Sequence, residues 1–233
     1  MGFYEKHIKR LLDIVCSLLF IIVFSWLYII IAVLVRIKLG KPVLFKQPRP
    51  GVVRNGKETI FDMYKFRSMT DERDENGDLL PDDKRLPPFG AALRSTSLDE
   101  LPEVFCILRG TMSVIGPRPQ LVRDMVFMSD KQRMRHTAKP GLTGLAQVKG
   151  RNAITWEDKL DWDLKYIEKV SFIGDVKILF QTVAAVFKRS GITDGENATA
   201  LDYGDALLKA GKVSMAEYDD LQMLAKEILE DRG

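Results

Sequence analysis

The chain has 233 residues, room for one ordinary domain plus an appendage. It is 46% hydrophobic and 29% charged, a composition that excludes intrinsic disorder, and a net charge of only +3 gives no reason to expect a nucleic-acid partner. Two cysteines, Cys16 and Cys106, make no metal pattern and no CxxC and read as reduced core or membrane residues; the only histidines, His7 and His136, are too few for a zinc site or a His-based triad.

The first element is apolar. "IVCSLLFIIVFSWLYIIIAVLV", Ile14 to Val35, carries no charge and at 1.5 Å per residue reaches roughly 33 Å, enough to cross a hydrocarbon core. It is too long for a signal peptide, and no small-residue cleavage site follows it. Lys6, Lys9 and Arg10 precede it; Arg36, Lys38, Lys41, Lys46, Arg49, Arg54 and Lys57 follow. Basic flanks on both sides satisfy the positive-inside rule only if both ends lie on one face, which predicts a re-entrant helix bent near Ser25; a single crossing is the competing reading. No proline or glycine supports the bend.

"GKPVLFKQPRPG" (40–51) reads as a basic, turn-rich stretch at headgroup level, and "ETIFDMYKFRSM" (58–69) as a strand with Lys65 and Arg67 on one side. Residues 71–88 are a polar loop. "SLDELPEVFCILRG" predicts a helix with an apolar stripe of Leu98, Leu101, Val104, Phe105 and Leu108 and Gly110 as its C-cap. "TMSVIGPRPQ" is a short apolar piece and a Pro-Arg-Pro loop; "KPGLTGLAQVKGRN" is glycine-rich with a basic end. Amphipathic helices follow at 155–170, started by Thr155, and at 175–189. After Ser190 the composition loosens and ends in a small helix–turn–helix.

Asp99 and Glu100 are the chemical candidates. They fit a capping box with Ser97 as N-cap, or a helix capped by Asp99 with Pro102 in its first turn. They also fit a reaction centre: carboxylates beside a positive helix end stay ionised, and such a group is a nucleophile or a hard Mg²⁺ ligand. Arg94, Arg118 in "GPRP" and Arg151 in "KGRN" suit phosphate oxygens, and Gly141, Gly144 and Gly150 could let backbone N–H groups approach them. The glycine spacing fits neither the P-loop nor the Rossmann fingerprint. Asp161-Trp162-Asp163 imitates a metal-binding DxD but lies in an amphipathic helix pattern.

The apolar N-terminal segment, "FKQPRPG", "YKFRSM", "RSTSLDELPE", "LRGTMSVIGPRP" and "KPGLTGLAQVKGRN", in this order, closely resemble the bacterial sugar transferase family, the monotopic phosphoglycosyl transferases, over about residues 5 to 190. The resemblance implies a mostly α, α/β membrane-associated enzyme: a re-entrant helix-break-helix in 1–38, a catalytic domain in 39–190 with amphipathic interfacial helices such as 155–170, and a C-terminal helical extension in 191–233. It implies transfer of a sugar-1-phosphate from a UDP-sugar to polyprenyl (undecaprenyl) phosphate with release of UMP, at the cytoplasmic face of the bacterial inner membrane, initiating glycoconjugate assembly. Asp99 would attack the sugar-linked phosphate and form a phosphosugar-aspartyl intermediate, Glu100 would bind Mg²⁺, and Lys65, Arg94, Arg118 and Arg151 would hold phosphate. The family breaks its membrane helix at a Ser-Pro pair, whereas here Ser25 is followed by Trp26. "MTDERDENGDLLPDDKRL" matches a subset of small members and implies an N-acetylated, 6-deoxy diamino sugar of the di-N-acetylbacillosamine type. The tail reads as a docking or dimerisation element, for a second copy or for pathway glycosyltransferases. Two rivals stay open: a metal-dependent glycosyltransferase using Asp161 and Asp163 and releasing UDP, and a non-catalytic membrane-anchored scaffold.

Overall fold

A computed structural model describes residues 2–150, 154–187 and 201–231. After a π-helical turn at Tyr4–Ile8, α1 runs unbroken over Lys9–Lys38, about 45 Å at 1.5 Å per residue. The expected break at Ser25 is absent. With no proline to remove an N–H, the helical ladder continues through that position, and Ser25 Oγ donates to the Ile22 carbonyl at 3.0 Å. Gly40, at φ +82°, follows the helix end, and Arg67 donates to the Leu39 carbonyl there.

α1 lies along the rest of the protein. At its start, Lys9 pairs with Asp175, Arg10 donates to the carbonyls of Ile107 (2.5 Å) and Leu108 (2.7 Å), and Asp13 accepts from Ser113 Oγ and the Val114 N–H. Near its end, Tyr28 donates to the Leu101 carbonyl at 2.7 Å, and Ile31 and Val35 pack with Phe66 and Leu93. The opposite face, including Leu18, Ile22, Trp26, Ile29, Val33 and Ile37, is exposed.

The stretch after α1 is not a turn but strand β1, Leu44–Arg54, paired antiparallel with β2, Lys57–Phe66. Asn55 and Gly56, both at positive φ, make the two-residue hairpin turn. Helices α2 (Asp82–Arg85) and α3 (Pro88–Ser95) close the polar loop. A 3₁₀ turn at Leu98–Glu100 leads into α4, Glu103–Arg109, ended by Gly110 at φ +88°, the expected C-cap. α4 buries Glu103, Val104, Cys106 and Ile107, while Phe105 of the expected stripe is partly exposed beside Tyr28. β3, Ser113–Ile115, pairs parallel with β4, Gly141–Thr143. Between them lie α5 (Val122–Met125) and α6 (Asp130–Arg133); α7 follows β4 at Leu145–Gly150.

α8, Trp156–Glu168, starts where Thr155 caps the Asp158 N–H at 3.1 Å. Its apolar face turns into the body and not outward, unlike the expected interfacial helix. Leu160, Leu164 and Tyr166 are buried in the core, and its outer residues, Glu157, Asp158, Asp161, Lys165 and Glu168, are polar. α9, Phe172–Phe187, by contrast exposes apolar side chains: Phe172, Ile173, Leu179, Phe180 and Val183. The expected boundary at 190–191 falls outside the described residues. The tail helices α10 (Tyr203–Lys209) and α11 (Met215–Glu230) pack into the body: Tyr203 and Ala225 share a buried cluster with Val122, Met125, Phe127 and Leu160.

Glu58 of β2 ties the hairpin to the end of α6 and the segment after it. It accepts from Arg133 at 2.7 and 2.5 Å and faces His136 Nδ1 at 3.4 Å. Burial pushes its pKa up, but the His136 and Arg133 hydrogen bonds outweigh burial and hold the carboxyl well below its ordinary value of 4.5. The stability it contributes is present above pH 4.5 and lost as the pH falls through the lowered folded value. Glu58→Gln should cost roughly 3 kcal/mol near neutrality and progressively less below pH 4.5. Thermal unfolding across that range checks this, and an equal loss at every pH would contradict it.

Candidate active site

Asp99 and Glu100 sit on the 3₁₀ turn, aimed by an unusual backbone. Ser97, just before them, is left-handed at φ 55° and its side chain caps nothing, so the capping-box reading fails. Asp99 does not cap a helix either: α4 starts three residues past Glu100, with Pro102 at the N-cap position and no side-chain cap. Asp99 is 7% exposed and Glu103 fully buried. Glu103 follows Asp99 by four residues and Glu100 by three, so one turn of chain gathers three carboxylates.

Two cations from other elements meet them. Lys65, near the end of β2, binds Glu100 Oε1 at 2.8 Å and lies 3.4 Å from Glu103 Oε1. Arg118 pairs with the same Glu100 oxygen and lies 3.8 Å from Glu103. Among the described residues neither buried Glu103 oxygen makes a well-formed hydrogen bond; Lys65 and Arg118 meet the carboxyl as longer ion pairs. Burial pushes the Asp99 carboxyl above its ordinary range; Lys65 opposes this, Glu100 adds to it, and Arg94 and Arg118 oppose it. For Glu100 burial also acts upward, but Arg118 and Lys65 outweigh it and keep it ionised. Glu103 is driven up by burial, with Arg118 opposing and Glu100 reinforcing. The arrangement therefore holds one firmly ionised carboxylate beside two that burial biases toward the neutral form.

Arg94, on α3, donates to Ser68 Oγ at 2.9 Å and acts on Asp99 electrostatically. Lys65, Arg94, Asp99, Glu100 and Arg118 thus lie together, while Arg151 falls outside the described residues. Glu103 is a further carboxylate that the sequence reading does not single out: Asp99 lies on the turn before α4, so no helical spacing marks the pair, and Glu103 joins the site through Lys65 and Arg118. Arg67, expected beside Lys65, is buried and structural: it holds Asp71 and the end of α1.

The structure shows close packing at the glycines. Gly116 N–H donates to Thr143 and Gly141 N–H to Pro117, both at 2.9 Å. A Cβ on Gly141 or Gly144 would come within 2.1 Å of the Gly116 backbone. They let the Arg118 loop and the β4 segment touch backbone to backbone. The Cβ of a substituted Gly150 would meet Ile154 at 2.4 Å. The DxD pair does not converge either: Asp161 is exposed, whereas Asp163 is buried against Arg135. Among the described residues no three His, Cys, Asp or Glu side chains form a ready metal cage.

Residues 4–189 match the model of the family described as bacterial sugar transferase. The chain is 45% identical over 193 residues to an uncharacterized sugar transferase, EpsL, of Bacillus subtilis (strain 168), covering 83% of this chain and 94% of that protein. It is 36% identical to the undecaprenyl-phosphate galactose phosphotransferase of Salmonella typhimurium, covering 80% of this chain and 42% of the relative. It is 40% identical to the UDP-glucose:undecaprenyl-phosphate glucose-1-phosphate transferase of Klebsiella pneumoniae, covering 75% and 39%. The chain spans less than half the length of these last two relatives. With most of its length matched, and the carboxylate and basic motifs that carry the resemblance assembled around one buried turn, the chain belongs to the bacterial sugar transferase family.

Proposed function

We propose that this protein transfers a sugar-1-phosphate from a UDP-sugar to polyprenyl phosphate and releases UMP. The observation that carries the reading is the buried Asp99 on a turn shared with Glu100 and surrounded by Lys65, Arg94 and Arg118. The relatives' printed names, phosphotransferases acting on undecaprenyl phosphate, support the same transfer.

In this reading an Asp99 carboxylate oxygen attacks the sugar-bearing phosphorus. A P–O bond forms to Asp99, the bond from that phosphorus to the UMP oxygen breaks, and UMP leaves with the electron pair. An oxygen of the lipid phosphate then attacks the same phosphorus, the bond to Asp99 breaks, and the carboxylate returns. Lys65 and Arg118 place positive charge where the diphosphate sits, which offsets its repulsion of Asp99. The ionised Glu100, whose ion pairs both run through Oε1, and Glu103, whose buried oxygens make no well-formed hydrogen bond among the described residues, are hard oxygen donors that suit Mg²⁺. Mg²⁺ held there would neutralise diphosphate charge, most of its other ligands being phosphate oxygens and water.

We read α1 as lying in one leaflet with both ends on the domain's side. Its two ends are fastened to the same body, at Arg10 and at Tyr28, while its outer face and that of α9 are apolar. A UDP-sugar donor places that body at the cytoplasmic face of the inner membrane.

UMP release by detergent-solubilised protein tests the chemistry, with Mg²⁺, polyprenyl phosphate and a panel of UDP-sugars that includes glucose, galactose and an N-acetylated diamino sugar. Asp99→Asn should lower the rate at least about a thousandfold, and the wild-type rate should fall with pH through an Asp99 value above the usual carboxylate range. Equal release by the variant would overturn the reading, and UDP in place of UMP would favour a glycosyltransferase. For the membrane arrangement, cysteines placed at the N-terminus and near Gly40 should both resist an impermeant reagent applied to intact cells. A single reactive end would mean a crossing.

A further inference from the structure

Arg118 stands between Pro117 and Pro119, residues without N–H groups, so this loop offers its neighbours carbonyls in place of donors. Two other arginines use those carbonyls. Arg135 donates to the Arg118 carbonyl at 2.5 Å, and Arg49 to the Pro119 carbonyl at 3.2 Å. Each is itself anchored. The Arg135 side chain is 1% exposed and forks onto Asp163 Oδ2 at 3.0 and 2.7 Å. Arg49 reaches Gln47 Oε1 at 2.6 Å.

Core stability alone does not account for this arrangement. A buried ion pair such as Arg135–Asp163 stabilises a core no better than apolar side chains of the same volume. Arg49 is half-buried and close enough to Arg118 for the two guanidinium groups to repel, and among the described residues its Nε has no partner. What both arginines share is contact with consecutive carbonyls of the loop that carries Arg118. That loop is also held by Gly116 on Thr143, by Gly141 on the Pro117 carbonyl and by Arg118 itself on the Leu142 carbonyl at 3.2 Å.

We propose that Asp163, Arg135 and Arg49 are positioning residues, a clamp on the carbonyls of Arg118 and Pro119 that fixes the direction from which the Arg118 guanidinium meets Glu100 and Glu103. Asp163 thereby acquires a role, though not that of a metal ligand: it orients Arg135, which orients Arg118. The kinetic consequence rests on the proposed reaction, whereas the geometric one does not.

The test uses the full chain in detergent with Arg135→Lys and Arg49→Lys. Each keeps the charge but replaces a forked donor with one ammonium, which cannot serve the anchor and the carbonyl in the same geometry. The first readout is modification by phenylglyoxal, followed at each arginine by peptide mass spectrometry. Arg118, 27% exposed, should react several-fold faster in either variant, while Arg123, 53% exposed, keeps its rate. The second is UMP release: kcat should fall about tenfold with little change in KM. In an Arg118→Lys background the same substitutions should cost less than about twofold, because the group they position is gone. An unchanged Arg118 modification rate overturns the clamp whether or not the protein releases UMP. So does a kinetic loss that is the same in both backgrounds, which marks a merely structural role. Faster Arg118 modification in a protein whose wild type shows no Asp99-dependent UMP release would keep the clamp and overturn the proposed reaction. The two arginines lie on separate elements, so if one variant fails to fold the other carries the test.

Discussion

Three carboxylates gathered on one turn repel one another and lose hydration, and only nearby cations make their burial tolerable. Here that compensation comes from Lys65 and Arg118, which share the Glu100 oxygen and both approach Glu103. Lys65 is brought by the β1–β2 hairpin, the glutamates by the turn and α4, and Arg118 by the loop after β3. The ion-pair cluster is therefore a junction of three parts of the chain. The surrounding features serve that junction: the glycine contacts that let the Arg118 loop meet β4, the left-handed Ser97 that turns Asp99 inward, and the hairpin pinned at its far end by Glu58.

The same junction sets the protein's relation to a membrane. Arg10 of α1 satisfies the last carbonyls of α4, and Tyr28 the Leu101 carbonyl just before it. α1 thus runs antiparallel to α4 and grips it at both ends, with an exposed apolar face on the far side. Whatever depth α1 takes in lipid, the carboxylates follow. The proposed reaction requires that coupling, because its two anionic substrates come from different phases.

Most of the site was legible because its residues lie in short, chemically loud stretches: the Asp99-Glu100 pair, the arginine between prolines, and Lys65 on an alternating strand. Three features were not. β1 was read as turns because Pro48 and Pro50 argue against a strand, yet both are tolerated in a strand paired on one side only, and the Asn55-Gly56 turn was the available hairpin signal. The bend at Ser25 was inferred from charge, which constrains where the ends lie and not how the backbone connects them. Glu103 and the Arg135–Asp163 pair depend on tertiary contacts across dozens of residues, which no local spacing reports. Likewise α8 and α9 have similar periodicity, and only the packing shows which of them buries its apolar face.

The central claim is that Asp99 is a nucleophile and not a buried structural acid. The most direct measurement is the mass of the peptide containing Asp99 after incubation with the donor UDP-sugar in the absence of polyprenyl phosphate and a rapid acid quench. The account predicts a gain equal to one sugar-phosphate on that peptide, located at Asp99 and removed when polyprenyl phosphate is added. An unmodified Asp99 peptide under conditions in which UMP is released in stoichiometric amount would contradict it.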